Sequence, residues 1–193
     1  MIIGITGSIG SGKTTVAKLF SKHLYNRIDA DEIGHQILKK NSFVYKKIIK
    51  NFGDGILDRN KNIDRIKLGD VVFENNKKME ILNSITHPII INEIKNQIKK
   101  QSVNKIRIVV DAPLLLETQT KNLVDKIIVV RSDKKNILKR LNKKYSKEKI
   151  EKILNAQMPL NQKLEYADFV VDNNKDLRYL EKQIKKIIKE LEI

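Results

Sequence analysis

Cysteine and tryptophan are absent from this 193-residue chain, and proline and aromatic residues are scarce. Without cysteine, the chain can form no disulfide bond, thiolate metal site or cysteine nucleophile. No apolar run approaches the roughly 18–20 residues that a membrane-spanning helix needs. The first residues, Met-Ile-Ile-Gly-Ile-Thr, also lack the basic leader of a signal peptide. We therefore expect a cytoplasmic enzyme without a membrane partner.

Acidic residues are outnumbered, since 39 Lys and Arg face 23 Asp and Glu and give a formal net charge of +16. A basic excess can indicate a nucleic-acid partner. Proteins that bind nucleic acids usually use arginine and interleaved aromatic residues, whereas 32 of these 39 residues are lysines and only 5% of the chain is aromatic. We attribute the charge to solvated helix surfaces, or alternatively to attraction of polyanionic substrates, and expect no nucleic-acid partner.

The chain has no internal repeat, low-complexity tract or linker, and its apolar pattern alternates between strands and helices. Two strands are apolar on both faces, which is typical of a buried parallel sheet. The predicted strands are 1–6, 25–28, 106–110, 126–130 and 169–171, and an amphipathic helix is predicted over 176–191. This order predicts a three-layer α/β core around a parallel sheet.

Two long helical stretches interrupt that alternation. Residues 32–105 are too long for an ordinary crossover, so we predict an inserted helical lobe there. Residues 133–165 form a second excursion, with helices predicted over 134–141 and 147–156. The core is then expected in three pieces, namely 1–31, 106–132 and 166–193. Helical flaps over a phosphate site commonly close to exclude water.

Residues 7–14, Gly-Ser-Ile-Gly-Ser-Gly-Lys-Thr, fit the phosphate-loop pattern G-x-x-x-x-G-K-[ST]. Glycines let successive N–H groups point at phosphate oxygens, and the helix that follows offers the positive end of its dipole. Lys13 is expected to bind the β- and γ-phosphates, and the Thr14 hydroxyl to bind Mg²⁺. The pattern predicts binding of a nucleoside triphosphate, with ATP and magnesium as the first expectation.

Aspartates stand at the ends of two predicted strands. Asp111 is a candidate to hold magnesium or its waters, and alternatively a turn or helix-capping residue before Pro113. Asp29 and Asp31 are two positions apart, so both side chains would leave one face of an extended segment. Such a carboxylate could orient an acceptor hydroxyl and take its proton. The alternative is that Asp31 caps the next helix.

Arg140 and His87 are candidates on the two helical excursions. Arg140 could neutralise charge on a γ-phosphate during transfer, or could be one more solvated surface charge beside Lys143 and Lys144. His87 precedes Pro88 in the inserted lobe, where a packing or capping role is the alternative to a functional one.

Other classes of P-loop protein fit less well. The D-x-x-G spelling at residues 31–34 follows the wrong strand for a GTPase switch, and residues 129–133 carry Val-Val-Arg-Ser-Asp in place of a guanine-binding motif. A motor or remodelling ATPase would need a larger chain. A small P-loop kinase remains, in which one excursion holds the acceptor and the other is the lid.

Over essentially its whole length, the chain resembles the dephospho-CoA kinase family. The resemblance is carried by the order and spacing of residues 6–15, 28–31, 87–88, 111–117, 138–141, 156–159 and 167–173. It implies ATP-dependent phosphorylation of the ribose 3′-hydroxyl of dephospho-CoA, the last step of coenzyme A synthesis. The alternative is another small-molecule P-loop kinase, of the nucleoside monophosphate or shikimate type.

The resemblance also implies roles for individual residues. Asp31 matches the residue that deprotonates the 3′-hydroxyl, Lys13 and Arg140 match phosphate-clamping positions, and residues 32–105 match the acceptor-binding lobe. The implied acceptor-binding residues are Asp29, Asp31, His87 and Leu114; the implied ATP-binding residues are Gly10, Ser11, Gly12, Lys13, Thr14, Thr15 and Asn173; and the implied metal ligands are Thr14 and Asp111. A monomer is favoured.

Four positions depart from the family pattern. Ser8 replaces a usual Gly, and Thr14 stands where Ser is commoner. Lys144 takes the place of a second lid arginine, and Ile153 lies near the usual place of another. Lysine keeps the charge but loses the bidentate fork of arginine. We therefore hypothesise that this chain relies unusually heavily on Arg140.

Overall fold

The computed structural model describes residues 1–103 and 106–191. The chain divides into two compact units, one formed by residues 1–29 and 97–193 and the other by residues 30–96. The predicted ends of the lobe at 105 and of the core at 193 lie outside the described residues. Within the described residues, no helix is both long and apolar enough to span a bilayer.

Five parallel strands form one sheet in the first unit, in the order β2-β3-β1-β4-β5. The strands are β1 (Ile2–Thr6), β2 (Tyr25–Asp29), β3 (Arg107–Asp111), β4 (Lys126–Arg131) and β5 (Phe169–Asp172). The middle strands consist mainly of buried Ile and Val, because helices cover both faces of a parallel sheet. The predicted α/β fold class with a parallel sheet is confirmed.

Helices occupy most of the remaining described chain. They are α1 (Lys13–Ser21), α2 (Ala30–Ile37), α3 (Phe43–Phe52), α4 (Arg65–Phe73), α5 (Asn76–Ser102), α6 (Lys134–Leu141), α7 (Lys147–Asn155), α8 (Leu160–Glu165) and α9 (Leu177–Leu191), with short 3-10 helices at Asp54–Ile56 and Gln119–Leu123. The helix predicted over 134–141 is α6 itself, and α7 ends one residue before the predicted 156.

The core of the first unit lies between the sheet and helices α1 and α9. Buried residues of β1, β4 and α1 pack there with the apolar stripe of α9, which contributes Leu180, Ile184, Ile187 and Ile188. Leu177, the first residue of the helix, is about half exposed and is not one of these buried residues. This packing fixes the carboxyl ends of the strands, where the phosphate loop begins.

The second unit is helical and has a core of its own, formed by Val44, Ile48, Ile56, Leu68 and Val72. Side-chain caps set the starts of two of its helices. The Ser42 hydroxyl accepts a hydrogen bond from the Tyr45 amide at α3, and the Asp64 carboxylate accepts from the amides of Ile66 and Lys67 at α4.

Residues 29–31 are not extended, so Asp29 and Asp31 do not leave one face of a strand. Asp29 is the last residue of β2, and α2 begins immediately afterwards at Ala30. Asp31 therefore lies within the first turn of the helix, two residues after the N-cap position at Asp29. Carboxylates at Asp31 and Glu32 suit that turn because they face the positive end of the helix dipole.

Candidate active site

The phosphate loop joins β1 to α1 at the carboxyl end of the middle strand of the sheet. Open α/β sheets bind ligands at this edge, beside the strand where the order of connections reverses. Two glycines make the loop possible. A Cβ atom at Gly7 would lie 2.3 Å from the Val130 carbonyl oxygen, and one at Gly12 would lie 2.0 Å from Asn173 Nδ2. Gly12 also has a φ of 97°, which favours glycine.

The start of α1 carries the groups expected of an anion site. Gly12 is the N-cap and has no side chain to bond the first amides of the helix. Lys13 is buried, and its Nζ donates to the Ser8 carbonyl at 3.1 Å. Ser11 is fully buried, and its Oγ has no hydrogen-bond partner within the described residues. A phosphate group at this helix start would meet a positive dipole end and an ammonium.

Arg140 is exposed, and its guanidinium is hydrogen-bonded to the phosphate loop. Its Nη1 donates to the carbonyl oxygens of Gly10 at 2.9 Å and Ser11 at 3.2 Å, and to Ser132 Oγ at 3.2 Å. Its Nη2 donates to the Asn173 carbonyl at 2.8 Å. The guanidinium therefore reaches from α6 to the backbone of the phosphate loop and of the segment after β5.

Asn173 also belongs to this group of contacts. Its Nδ2 donates to the Ser11 carbonyl at 2.7 Å, so its amide braces the outer side of the loop. Asn174 instead joins the start of α6, where its Oδ1 accepts from the Asp133 amide at 2.7 Å. The structure thus brings together Gly10, Ser11, Arg140 and Asn173 among the predicted residues.

The helical excursion 133–165 packs on the loop through Ile9. Ile9 lies against the apolar cluster of α6 and α7, whose buried members are Ile137, Leu141 and Ile150. Gln157 accepts a hydrogen bond from the Ile9 amide at 2.9 Å. Gln157 was not predicted as a site residue, and its place in the segment 156–159 was the one sequence signal that pointed to it.

A second residue missed by sequence reasoning is Arg27, which joins two predicted carboxylates. β2 and β3 pair with Asp29 opposite Asp111, and the Arg27 guanidinium binds both side chains, reaching Asp111 Oδ2 at 2.6 Å. Its position two residues before Asp29, on the same side of β2, was the available signal. The partner of the Asp111 carboxylate is therefore Arg27, and not a backbone group of the turn before Pro113. Because Arg27 binds Oδ2, the other carboxylate oxygen can bind another ligand.

The remaining predicted residues lie apart from these contacts. Leu114 is partly buried in the turn after β3, where its carbonyl accepts from Thr118 Oγ1 at 2.9 Å. Thr14 and Thr15 are exposed in the first turn of α1. Asp31 and His87 belong to the second unit. His87 lies in α5, and burial lowers the pKa of its imidazole below the ordinary value, which favours the neutral form.

Comparison with known proteins assigns these features to one family. A family model described as Dephospho-CoA kinase matches residues 1–178. Dephospho-CoA kinase of Fusobacterium nucleatum is 43% identical over 188 residues, which cover 96% of each chain. The Aquifex aeolicus protein of the same name is 40% identical and covers 98% of this chain and 96% of its own.

Solved structures of similar chains include a dephospho-CoA kinase and a shikimate kinase. Dephospho-CoA kinase from Campylobacter jejuni superposes with a TM-score of 0.72 at 32% identity, covering 98% of this chain and 96% of its own. Shikimate kinase from Acinetobacter baumannii shares the fold, with a TM-score of 0.55 at 13% identity and coverage of 98% of this chain and 92% of its own.

Proposed function

Because this chain belongs to the dephospho-CoA kinase family, we propose that it transfers the γ-phosphoryl group of ATP to the ribose 3′-hydroxyl of dephospho-CoA, giving coenzyme A and ADP. The observation that carries the proposal is the phosphate loop at the end of β1, in a chain that matches the family over residues 1–178. The Lys13 ammonium and the uncapped start of α1 supply the positive charge that a triphosphate needs.

The nucleotide is proposed to lie along the phosphate loop. Backbone N–H groups of Gly10, Ser11, Gly12, Lys13, Thr14 and Thr15 would bind the phosphate oxygens. Lys13 would bind the β- and γ-phosphates, and Arg140 would neutralise the charge that develops during transfer. Arg140 is already hydrogen-bonded to the Gly10 and Ser11 carbonyls of the loop, which supports this role. Asn173, beside the loop, is the proposed contact to adenine.

Magnesium is the metal that this donor set fits. Thr14 offers a hydroxyl oxygen and Asp111 a carboxylate oxygen, and Mg²⁺ prefers such hard oxygen ligands. The described chain contains no group of three or more His, Asp or Glu residues that could enclose a metal ion. Thr14 and Asp111 would therefore hold the ion together with the substrate phosphates, as is usual for Mg²⁺. When bound, the ion offsets negative charge on the β- and γ-phosphates. Asp29 is the alternative ligand to Asp111.

The acceptor hydroxyl is proposed to depend on Asp31. As the bond between the 3′-oxygen and the γ-phosphorus forms and the bond to the β,γ-bridging oxygen breaks, the hydroxyl proton passes to the Asp31 carboxylate. Residues 32–105 are the proposed acceptor lobe, with Asp29, His87 and Leu114 as further acceptor contacts. Residues 133–165 are the proposed lid. A monomeric state and a cytoplasmic location remain predictions.

A coupled assay of ADP release tests this function with four reactions that differ in the acceptor. The acceptors are dephospho-CoA, AMP, shikimate and none, each with ATP and magnesium. We expect ADP release to require dephospho-CoA, because phosphoryl transfer needs an acceptor hydroxyl held at the site. Release with AMP or shikimate alone would instead support the other small-molecule kinases, and release without any acceptor would contradict a kinase function.

A further inference from the structure

Lys163 is a fully buried lysine outside the residues assigned to the reaction. It lies on α8, and its exposed fraction is 0%. Lysine is almost never buried completely unless its charge is paired. Here Nζ lies 2.9 Å from Glu117 Oε1 and donates to the Pro113 carbonyl at 2.9 Å, with Thr6 Oγ1 at 3.5 Å.

These partners come from segments that border the phosphate site. Thr6 is the last residue of β1, directly before the phosphate loop, and its hydroxyl donates to the Pro113 carbonyl at 3.1 Å. Pro113 follows two residues after Asp111. Glu117 Oε1 also accepts from the Met158 amide at 3.0 Å, and Met158 lies between α7 and α8 in the excursion 133–165. The Lys163 ammonium thus joins three parts of the chain: the base of the phosphate loop, the turn after β3 and, through Glu117, the segment between α7 and α8.

The energetics argue against a purely stabilising role. Removing the Lys163 ammonium from water is costly, and apolar side chains of similar size often match or exceed the stability that a buried charge with its partner provides. Unlike an apolar side chain, an ammonium makes directional hydrogen bonds. Three N–H donors fix the places of three oxygens, and here those oxygens belong to segments that carry or adjoin Asp111 and the phosphate loop.

We propose that Lys163 is a positioning residue for phosphoryl transfer. Through its contacts with Pro113, Thr6 and Glu117, it holds the turn after Asp111 and the segment between α7 and α8 against the base of the phosphate loop. The inference rests on the proposed kinase function. Its effect falls on the chemical step more than on nucleotide binding, because Lys163 bonds the framework and not the loop amides. A displacement of about 1 Å at a reacting centre can cost about 100-fold in rate.

The test is the double variant Lys163→Met/Glu117→Gln, which fills the same volume and leaves no buried charge unpaired. We expect its unfolding temperature and its affinity for an unreactive ATP analogue to stay near those of the parent, and kcat to fall about 10- to 100-fold. Glu117→Gln alone keeps the Lys163 bond to Pro113, so we expect a smaller loss of kcat. Because this single variant leaves the Lys163 charge without its carboxylate, we also expect a lower unfolding temperature. If the double variant does not fold, kcat and analogue affinity of the single variant, measured below its unfolding temperature, serve in its place.

The matched control is Lys126→Met. Lys126 pairs with Asp168 at 2.8 Å, but it is the first residue of β4, at the opposite end of the strand from the phosphate loop, and it is about half exposed. We expect its kcat to equal that of the parent. An unchanged kcat in the double variant would overturn the proposal, as would losses of kcat, analogue affinity and unfolding temperature in parallel. A parent protein without any transfer to dephospho-CoA would instead overturn the proposed function.

Discussion

Among single residues, Asp31 is the proposed general base, and its loss should reduce the rate of phosphoryl transfer most. A general base contributes about 10²–10⁴-fold to a rate, so we expect Asp31→Asn to lower kcat at least 100-fold. ATP affinity should change by no more than about threefold, because Asp31 lies outside the phosphate loop. Steady-state kinetics and a separate ATP-binding titration measure the two effects.

Glu32→Gln is the matched control for that substitution. Glu32 lies beside Asp31 in the first turn of α2, so each substitution removes one carboxylate from the positive end of the same helix dipole. We expect Glu32→Gln to keep most of the parental kcat. Equal losses in the two variants would show that Asp31 serves the helix and not the transfer.

Arg27 is the residue whose loss should most disturb the carboxylates at the end of β2 and β3. The Asp111 side chain is 4% exposed and depends on the Arg27 guanidinium as a partner. Breaking a buried ion pair costs about 3–5 kcal/mol, because the remaining charge stays buried. We expect Arg27→Met to lower the free energy of unfolding by about 3 kcal/mol in urea denaturation.

The control for Arg27 lies on the same sheet. Arg131 ends β4 and pairs with Asp172 at 2.9 Å, but its side chain is 50% exposed. Exposed pairs contribute about 0–1 kcal/mol, so Arg131→Met should have a small effect. Adding Asp111→Asn to Arg27→Met should restore part of the lost stability. Equal costs for the two arginines would contradict the account of the buried pair.

Side-chain partnerships over long sequence distances could not be predicted. The phosphate loop could be predicted because eight consecutive residues, 7–14, carry its pattern. Arg27 contacts Asp111 across 84 positions, Gln157 contacts Ile9 across 148, and Lys163 contacts Pro113 across 50. No local pattern encodes such contacts, because they depend on which strands and helices become neighbours in the fold.

At the scale of elements, the turn from β1 into α1 depends on the conformation of Gly12. An added Cβ would meet Asn173 Nδ2 at 2.0 Å in a backbone with a φ of 97°. Such strain costs about 1–3 kcal/mol, so we expect Gly12→Ala to weaken ATP binding about tenfold or more. Gly55→Ala is the control, since nothing lies within 4 Å of its added Cβ. Similar ATP affinities in the two variants would contradict this view of the loop.

Helix α5 holds a histidine that makes the second unit sensitive to acid. Burial lowers the pKa of His87 below its model-compound value of 6.5. Below that pH the unfolded chain binds more protons than the folded one, so stability is lost as the pH falls. We expect His87→Gln to lose less stability than the parent between about pH 7 and pH 5, measured by urea denaturation. Identical pH profiles would contradict this assignment.

The existence of strands and helices was predictable, but their junctions were less so. Runs of Ile and Val marked β1, β3 and β4, because strands covered on both faces must be apolar throughout. At residues 29–31 the sequence left an extended segment and a helix cap as alternatives, and in the structure α2 begins at Ala30. Two aspartates spaced by two residues suit both geometries, and only the backbone of the folded chain decides between them.

For the whole molecule, one phosphate loop and one proposed acceptor predict a single product. Phosphorus-31 NMR of the parent protein with ATP, magnesium and dephospho-CoA measures this directly. We predict one new phosphate monoester on the ribose 3′-hydroxyl, formed in equal amount with ADP. ADP without a new phosphate ester, or a phosphate at another hydroxyl, would contradict the account.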